Sequence, residues 1–263
     1  MSPTRAAGEL RAFVRAPSAA LNRCELVHMP RVPIDVDSAR RQHATYVETL
    51  AELGATIEWL APLDDRPDAV FVEDTAIIFP EIIVPAWPGV SSRQPEVETI
   101  APALARCRAV QAVRPPAFLD GGDVLTIGRR VLVGLSTRTN AAGIAQLREA
   151  LAPFGYNVEG VQVRGCLHLK SACTAIDERR VIANLEFIER AALGEAEVTE
   201  VDPREPRSAN TLTVRGTTLF SAAYPRTGER LSAAGLRTRA VDVAELEKAE
   251  SGLTCMSLLM EGN

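Results

Sequence analysis

A polar residue, a short apolar strand, a tight turn and a second strand recur four times along this 263-residue chain. The hairpins read Thr75–Phe79 with Ile82–Ala86, Asp123–Ile127 with Val131–Gly134, Cys173–Ile176 with Arg180–Ala183, and Thr211–Val214 with Thr218–Phe220. Apolar and β-branched runs bounded by turn residues are hairpin signals. A fifth run, Cys255–Met260, has no following partner, so it is expected to pair with a first strand at Glu25–Met29 and close a ring. The units begin near residues 75, 123, 172, 211 and 253. Their period of roughly 40–50 residues lies in the range of repeat architectures.

Helices fall between these hairpins. Asp37–Leu53 carries Tyr46, Val47, Leu50 and Leu53 at helical spacing, with Asp37 as cap and Gly54 as stop. Asn140–Phe154 repeats the pattern between Asn140 and Gly155, and Glu96–Arg106 and Arg226–Ala234 are shorter versions. The expected fold is therefore α/β, five ββαβ-like units about one axis in a single domain over residues 1–263, with residues 1–20 as a flexible N-terminal segment. A doubly wound sheet would leave four hairpins unexplained.

With 46% hydrophobic residues, the chain can bury a core without staples. Its net charge of −5 is spread over interspersed acids and bases, which excludes the clustered basic face of a nucleic-acid binder. No apolar run approaches the roughly 20 residues of a membrane span. Met1–Arg15 lacks the apolar centre of a signal peptide, so a cytoplasmic protein is expected. The five cysteines are odd in number and show no CxxC spacing. They read as free thiols, with neither a disulfide framework nor a zinc ribbon.

Chemistry enters through one slot used repeatedly. Asp74, Asp120, His168, Asn210 and Cys255 each stand at the head of a unit. Taken alone, Cys255 reads first as a small buried hydrophobe, and His168, between two leucines, as a packed core imidazole. Together they are a nucleophile and a general acid/base. Asp120 and Asp123 share an Asp-Gly-Gly-Asp turn, which serves backbone geometry or orients an imidazole. Asp68, Glu73 and Asp74 surround an apolar run with no cation adjacent in sequence, so a cationic substrate is expected to neutralise them. Arg93 and Arg138 follow the first two hairpins; facing the axis, they would grip a carboxylate bidentately. The set describes a pocket for a zwitterion bearing an extra cation, and it contains no metal-ligand spacing.

Phe71-Val-Glu-Asp-Thr75, Leu119-Asp-Gly-Gly-Asp123, Gly134-Leu-Ser-Thr-Arg-Thr-Asn140, Leu167-His-Leu-Lys-Ser171 and Leu253-Thr-Cys-Met-Ser257 resemble motifs of the dimethylarginine dimethylaminohydrolases, of the guanidine-modifying pentein superfamily. The resemblance runs from about Glu25 to Met260. It implies a five-bladed, pseudo-symmetric α/β propeller that hydrolyses Nω-methylated arginines to citrulline, with no metal or organic cofactor. Its partner would be a small guanidino amino acid, and the protein a monomer or homodimer. It also implies Cys255 as nucleophile, His168 as general acid/base and Asp120 as its orienting acid. Asp68, Glu73 and Asp74 would bind the guanidinium, and Arg93 and Arg138 the α-carboxylate. The carbonyls of Ala249 and of Leu26, in a lid, would take the α-amine. Asp120 stands where some relatives carry Glu, and Gln94 where relatives often carry a second arginine. Arginine deiminase, an amidinotransferase and a non-catalytic guanidine-binding protein are the alternatives. Lys170 weighs against the first, because deiminases typically carry an acid two residues past the histidine.

Overall fold

The computed structural model describes residues 8–262. Its first elements are β1 (Leu10–Val14), α1 (Val36–Glu52) and β2 (Ala55–Trp59). Next come β3 (Ala76–Ile78), β4 (Ile82–Pro85), α2 (Gln94–Ala105) and β5 (Ala109–Val110), then β6 (Val124–Ile127), β7 (Arg130–Leu135), α3 (Ala141–Leu151) and β8 (Asn157–Gln162). A short α4 (Leu169–Ala172) leads into β9 (Cys173–Ala175), β10 (Arg180–Ala183) and β11 (Glu197–Glu200). The chain finishes with β12 (Leu212–Val214), β13 (Thr217–Ser221), α5 (Pro225–Ala233), β14 (Arg237–Val241), α6 (Ala244–Glu247) and β15 (Leu258–Glu261).

Five separate three-stranded sheets form among the described residues. In each, a hairpin-like antiparallel pair is extended by a parallel third strand. A parallel neighbour needs a crossover, which α1, α2, α3 and α5 supply; between β10 and β11 a 3-10 turn at Arg190–Leu193 stands in its place. One unit is split by the termini: β15 pairs antiparallel with β1, and β1 parallel with β2. The leading strands β3, β6, β9, β12 and β15 all line one chamber of about 370 Å³, through residues such as Ile77, Leu125, Thr174, Thr213 and Leu258.

The closing strand is not the expected one. Leu10–Val14, not Glu25–Met29, pairs with β15, and residues 25–29 form no strand. Burial decides between them: Ala12, Phe13 and Val14 are at most 1% exposed, whereas Val27 is 46% exposed. Pro30 and Pro33 follow closely and remove ladder donors. The same strand corrects the expected flexible segment 1–20, since residues 10–14 lie mid-sheet; residues 1–7 lie outside the described residues. The cap of α1 is Asp35 in place of Asp37, its Oδ1 accepting from the N–H groups of Asp37 and Ser38, each at 3.1 Å. Asn140 caps α3 as expected, accepting from Gly143 N at 2.9 Å. All five cysteines are free, and no helix among the described residues is long and apolar enough to cross a membrane.

Candidate active site

Before β3, β6 and β15 the backbone tightens into 3-10 turns at Val72–Thr75, Gly121–Asp123 and Thr254–Met256; before β9 it forms α4. Such turns break the two-residue alternation of a strand, so neighbouring side chains in them leave in unlike directions. Asp74, His168 and Cys255 thereby line one cleft, while Glu73, Lys170 and Thr254 line the chamber.

His168 Nε2 lies 3.2 Å from Asp120 Oδ2 and His168 Nδ1 3.9 Å from Asp74 Oδ1. Asp120 is fully buried and also accepts from Gly89 N at 3.0 Å. Although shorter than a glutamate, it reaches the imidazole. Asp74 Oδ1 accepts from Gly122 N at 3.0 Å. A Cβ on Gly122 would stand 2.7 Å from His168 Nδ1 and 2.8 Å from Asp74 Oδ1. Only glycine lets this turn approach both groups. Asp123, the other acid of the turn, accepts from Leu169 N at 2.9 Å and Ser136 Oγ at 2.6 Å, so it anchors α4 behind His168.

The Cys255 turn is braced from three sides. Gly252 N donates to Cys255 Sγ at 3.3 Å. The hydroxyl of Tyr46, on α1, donates to Leu253 O at 2.9 Å and lies 2.7 Å from Ser257 Oγ. Asn210 accepts from Thr254 N at 2.9 Å and donates to Lys170 O at 3.2 Å, tying this turn to α4.

Electrostatics divide the protons. Burial pushes the Cys255 thiol well above its ordinary range, and the Glu73 and Asp74 charges push it further. For His168, burial favours the neutral ring, but Asp74, Asp120 and Asp123 outweigh it and raise its pKa to about 9. Burial raises Asp68 to about 6, opposed by Arg93 and by the backbone N–H of Glu25. Burial opposes the charge on Asp74 too, but His168 and Arg93 reverse this and hold it ionised. The resting cleft thus holds a thiol, an imidazolium and an ionised Asp74.

The cleft brings together Asp68, Asp74, Arg93, Arg138, His168, Ala249 and Cys255, with Asp120 directly behind His168. It does not include Glu73. That carboxylate faces the chamber and is taken by Lys170 Nζ at 2.6 Å and Thr254 Oγ1 at 2.6 Å. Leu26 packs against the core cluster around α1 while its neighbour Glu25 lines the cleft. The expectation that a substrate cation neutralises the acids is corrected for Asp74, whose cation is supplied from within the chain. Arg93, 3% exposed, pairs with Asp74, with Glu96 at 2.9 Å, and with the Phe71 carbonyl at 2.8 Å. Arg138 Nη1 lies 3.6 Å from Asp120. Arginines and acids interleave, because buried carboxylates require nearby cations. Asp74, Asp120 and His168 also place three ligand-type atoms within 4.8 Å of one another. The two carboxylates are engaged by arginines, so the trio reads as a proton-holding network. Sequence reasoning missed Tyr46, noted only for its helical spacing, and the reach of Lys170. Glu96 carried a legible signal, three residues after Arg93 on one helix face.

Along 94% of this chain and 96% of the relative's, 38% of residues are identical to N(G),N(G)-dimethylarginine dimethylaminohydrolase of Streptomyces coelicolor. The chain belongs to the dimethylarginine dimethylaminohydrolase family. The enzyme of that name from Pseudomonas aeruginosa is 30% identical over 85% of this chain and 89% of its own. A solved structure of the P. aeruginosa enzyme, a cysteine-to-serine variant complexed with citrulline, matches with a TM-score of 0.92 at 28% identity, covering 97% of this chain and 100% of that one. The family model for arginine deiminase matches residues 101–223. At 16% identity and a TM-score of 0.85, the N-terminal domain of a cyanobacterial arginine dihydrolase, covering 97% of this chain and 99% of that one, shares the fold.

Proposed function

We propose that this amidine hydrolase converts asymmetric dimethylarginine and monomethylarginine to citrulline, releasing dimethylamine or methylamine, through a covalent adduct on Cys255. The observation that carries the reading is the meeting of Cys255, His168 and two guanidinium-seeking carboxylates, Asp68 and Asp74, in one cleft. The citrulline complex of the P. aeruginosa relative supports the product. The five leading strands around one chamber support closure of the units into a five-bladed propeller.

A guanidinium carbon is a poor electrophile because resonance spreads its charge. Asp68 and Asp74 localise that charge on the bound nitrogens, a preorganised electrostatic contribution. The same cation opposes the Glu73 and Asp74 charges and lowers the thiol pKa, so Cys255 gives up its proton to solvent on binding. The thiolate attacks, the carbon–sulfur bond forms, and a tetrahedral adduct results. His168, already an imidazolium, passes its proton to the departing amine as the carbon–nitrogen bond breaks, leaving an S-alkylthiouronium. Neutral His168 then takes a proton from water, whose oxygen attacks the same carbon. Collapse breaks the carbon–sulfur bond as the adduct's hydroxyl proton passes to the departing sulfur, which restores the thiol and releases citrulline. Proton transfers of this kind contribute about 10²–10⁴-fold. Arg138 and the Ala249 carbonyl, both on the cleft, are assigned to the α-carboxylate and α-amine.

Arginine deiminase is the second reading, favoured by the family model over residues 101–223. Against it, Lys170 stands two residues past His168 and is turned into the chamber by Glu73. The test is citrulline formation from arginine, monomethylarginine and asymmetric dimethylarginine, with Cys255→Ser alongside. Activity on the methylated substrates alone supports the proposal, and activity on arginine alone selects deiminase. Appreciable turnover by Cys255→Ser removes the covalent mechanism.

A further inference from the structure

The two acids nearest the His168 ring share out their oxygens differently. Asp74 keeps its partners apart: Oδ1 lies 3.9 Å from His168 Nδ1, while Arg93 takes Oδ2. Asp120 does not. Its Oδ1 accepts from Gly89 N at 3.0 Å, and its Oδ2 faces both His168 Nε2, at 3.2 Å, and Arg138 Nη1, at 3.6 Å. Two cations compete for one oxygen.

The two arginines differ as well. Every nitrogen of the Arg93 guanidinium is engaged: Nε and Nη2 by Glu96, Nη2 also by the Asp68 and Phe71 carbonyls, and Nη1 by Asp74. Gln94, the next residue, donates its amide to Pro88 O at 3.1 Å. Arg138 lines the cleft and is equally buried. Yet its side chain makes no hydrogen bond among the described residues, because 3.6 Å to Asp120 is beyond hydrogen-bond reach. A guanidinium carries five donors, and burying them without acceptors is costly. Arg138 is therefore set to receive an anion. The backbone beside it is fixed. A Cβ on Gly89 would stand 2.5 Å from Arg138 O, Arg138 N donates to Ser136 Oγ at 2.9 Å, and Asp120 N donates to Thr139 Oγ1 at 3.1 Å. Any movement falls to the Arg138 side chain.

We propose that Arg138 couples the two ends of the substrate: it, and not Arg93, receives the α-carboxylate, and in doing so moves off Asp120 Oδ2, which then holds the His168 imidazolium without competition. The assignment rests on the guanidino amino acid reading. An incoming guanidinium beside Asp74 opposes the charge on His168. The carboxylate at the other end offsets this by drawing away Arg138, the second cation that opposes it. The proton needed by the departing amine thus stays on the ring until the carbon–nitrogen bond breaks. Asp74 and Asp123 also act on His168, and Glu25, Asp68, Glu250 and Cys255 line the same cleft. Lys170, on α4, is held in the chamber by Glu73.

The test reads the His168 ring directly. Isotope-labelled histidine marks three residues, His28, His43 and His168, and the His168 signal in nuclear magnetic resonance is assigned by its loss in His168→Gln. Its titration midpoint is measured in the ligand-free protein, with saturating citrulline, and with N-carbamoylputrescine, which is citrulline without its carboxylate. Both ligands carry a neutral urea, so the carboxylate acts alone. Citrulline is expected to tighten proton binding at His168 about fivefold or more, and carbamoylputrescine by less than about twofold. Reciprocally, citrulline affinity falls by the same factor as pH rises through the midpoint. Arg138→Met starts from the higher midpoint and citrulline no longer moves it; Arg138→Lys, which keeps the charge without the fork, lies between. In turnover, Nω,Nω-dimethylagmatine, which is asymmetric dimethylarginine without its carboxylate, shows the alkaline limb of kcat at lower pH than asymmetric dimethylarginine does. Equal midpoints with the two urea ligands overturn the coupling whether or not Arg138→Met folds, as does an Arg138→Met midpoint equal to that of the unsubstituted protein. A shift with citrulline in a protein that hydrolyses no methylarginine leaves the coupling standing and removes the functional reading.

Discussion

Glu73 and Asp74 are adjacent carboxylates, 6% and 4% exposed, that face opposite spaces and do unlike work. Asp74 lines the cleft among Arg93, Gly122 and His168; Glu73 lines the chamber, neutralised by Lys170. On the cleft side each charge is shared among several partners, so a substrate cation can join without stranding any of them. On the chamber side one pair is complete in itself. The contrast teaches that burial of an acid does not mark it as catalytic. What marks it is a charge network open to one more cation.

The sharpest way to break this contrast is isosteric. Asp74→Asn removes a charge that raises the His168 pKa and that, in the proposed mechanism, localises the guanidinium, so kcat/KM is expected to fall by roughly 10²-fold or more. Glu73→Gln, one residue away, should cost less than tenfold in kcat/KM, since its hydrogen bonds go to chamber groups and it reaches Cys255 only through its charge. Equal losses in the two variants, measured as citrulline release, would show that the division into two spaces has no functional meaning.

The pH dependence separates the two sides next. His168 has a folded pKa of about 9 against its ordinary 6.5. A raised pKa means the folded state holds the proton more tightly. The associated stability is fully present below pH 6.5 and is lost as pH rises through about 9. Its size is on the order of 3 kcal/mol. Urea unfolding between pH 6 and pH 9.5 should show that decline, and His168→Gln should flatten it. Under the proposed roles, activity is expected to carry the same alkaline limb near 9, where His168 loses its proton, and an acid limb near 6, where Asp68 takes one. A kcat/KM profile flat across both limbs would sink these assignments.

On the chamber side, Lys170→Met leaves Glu73 with Thr254 as its remaining side-chain partner. Stranding a mostly buried carboxylate should destabilise the protein by roughly 2–3 kcal/mol. Turnover of the folded fraction should change less than in Asp74→Asn. Denaturant midpoints measured beside kcat decide it: a large kcat loss without destabilisation would place Lys170 in the chemistry.

The hairpins were legible because Ile77, Leu125, Val181 and Leu219 sit in short β-branched or apolar runs closed by turn residues, a local signal. The unit heads were legible for the same reason, and they supplied Asp74, Asp120, His168 and Cys255. The first strand was not. Leu10–Val14 contains Arg11, and Glu25–Met29 looks equally strand-like; only burial between β15 and β2 separates them. Partnerships were also hidden, because they span the chain: Arg93 to Asp74 over 19 residues, His168 to Asp120 over 48, Lys170 to Glu73 over 97 and Thr254 to Glu73 over 181. The motifs carry residue identities. Which acid meets which cation is set by the turns.

Tyr46 tests the quietest link between the two regions. Its hydroxyl, donated from α1, holds Leu253 O and meets Ser257 Oγ, on either side of the turn that sends Thr254 to the chamber and Cys255 to the cleft. Tyr46→Phe keeps the ring in the core and deletes only that hydroxyl. The Leu253 carbonyl then loses a buried donor, a cost of about 1 kcal/mol in stability. A looser turn should also lower kcat by a few-fold with little change in KM, since Cys255, the proposed nucleophile, is displaced while Asp68 and Asp74 stay in place. If kcat is unchanged and only stability falls, the hydroxyl braces the fold alone, and Asn210 and Gly252 suffice to aim the thiol.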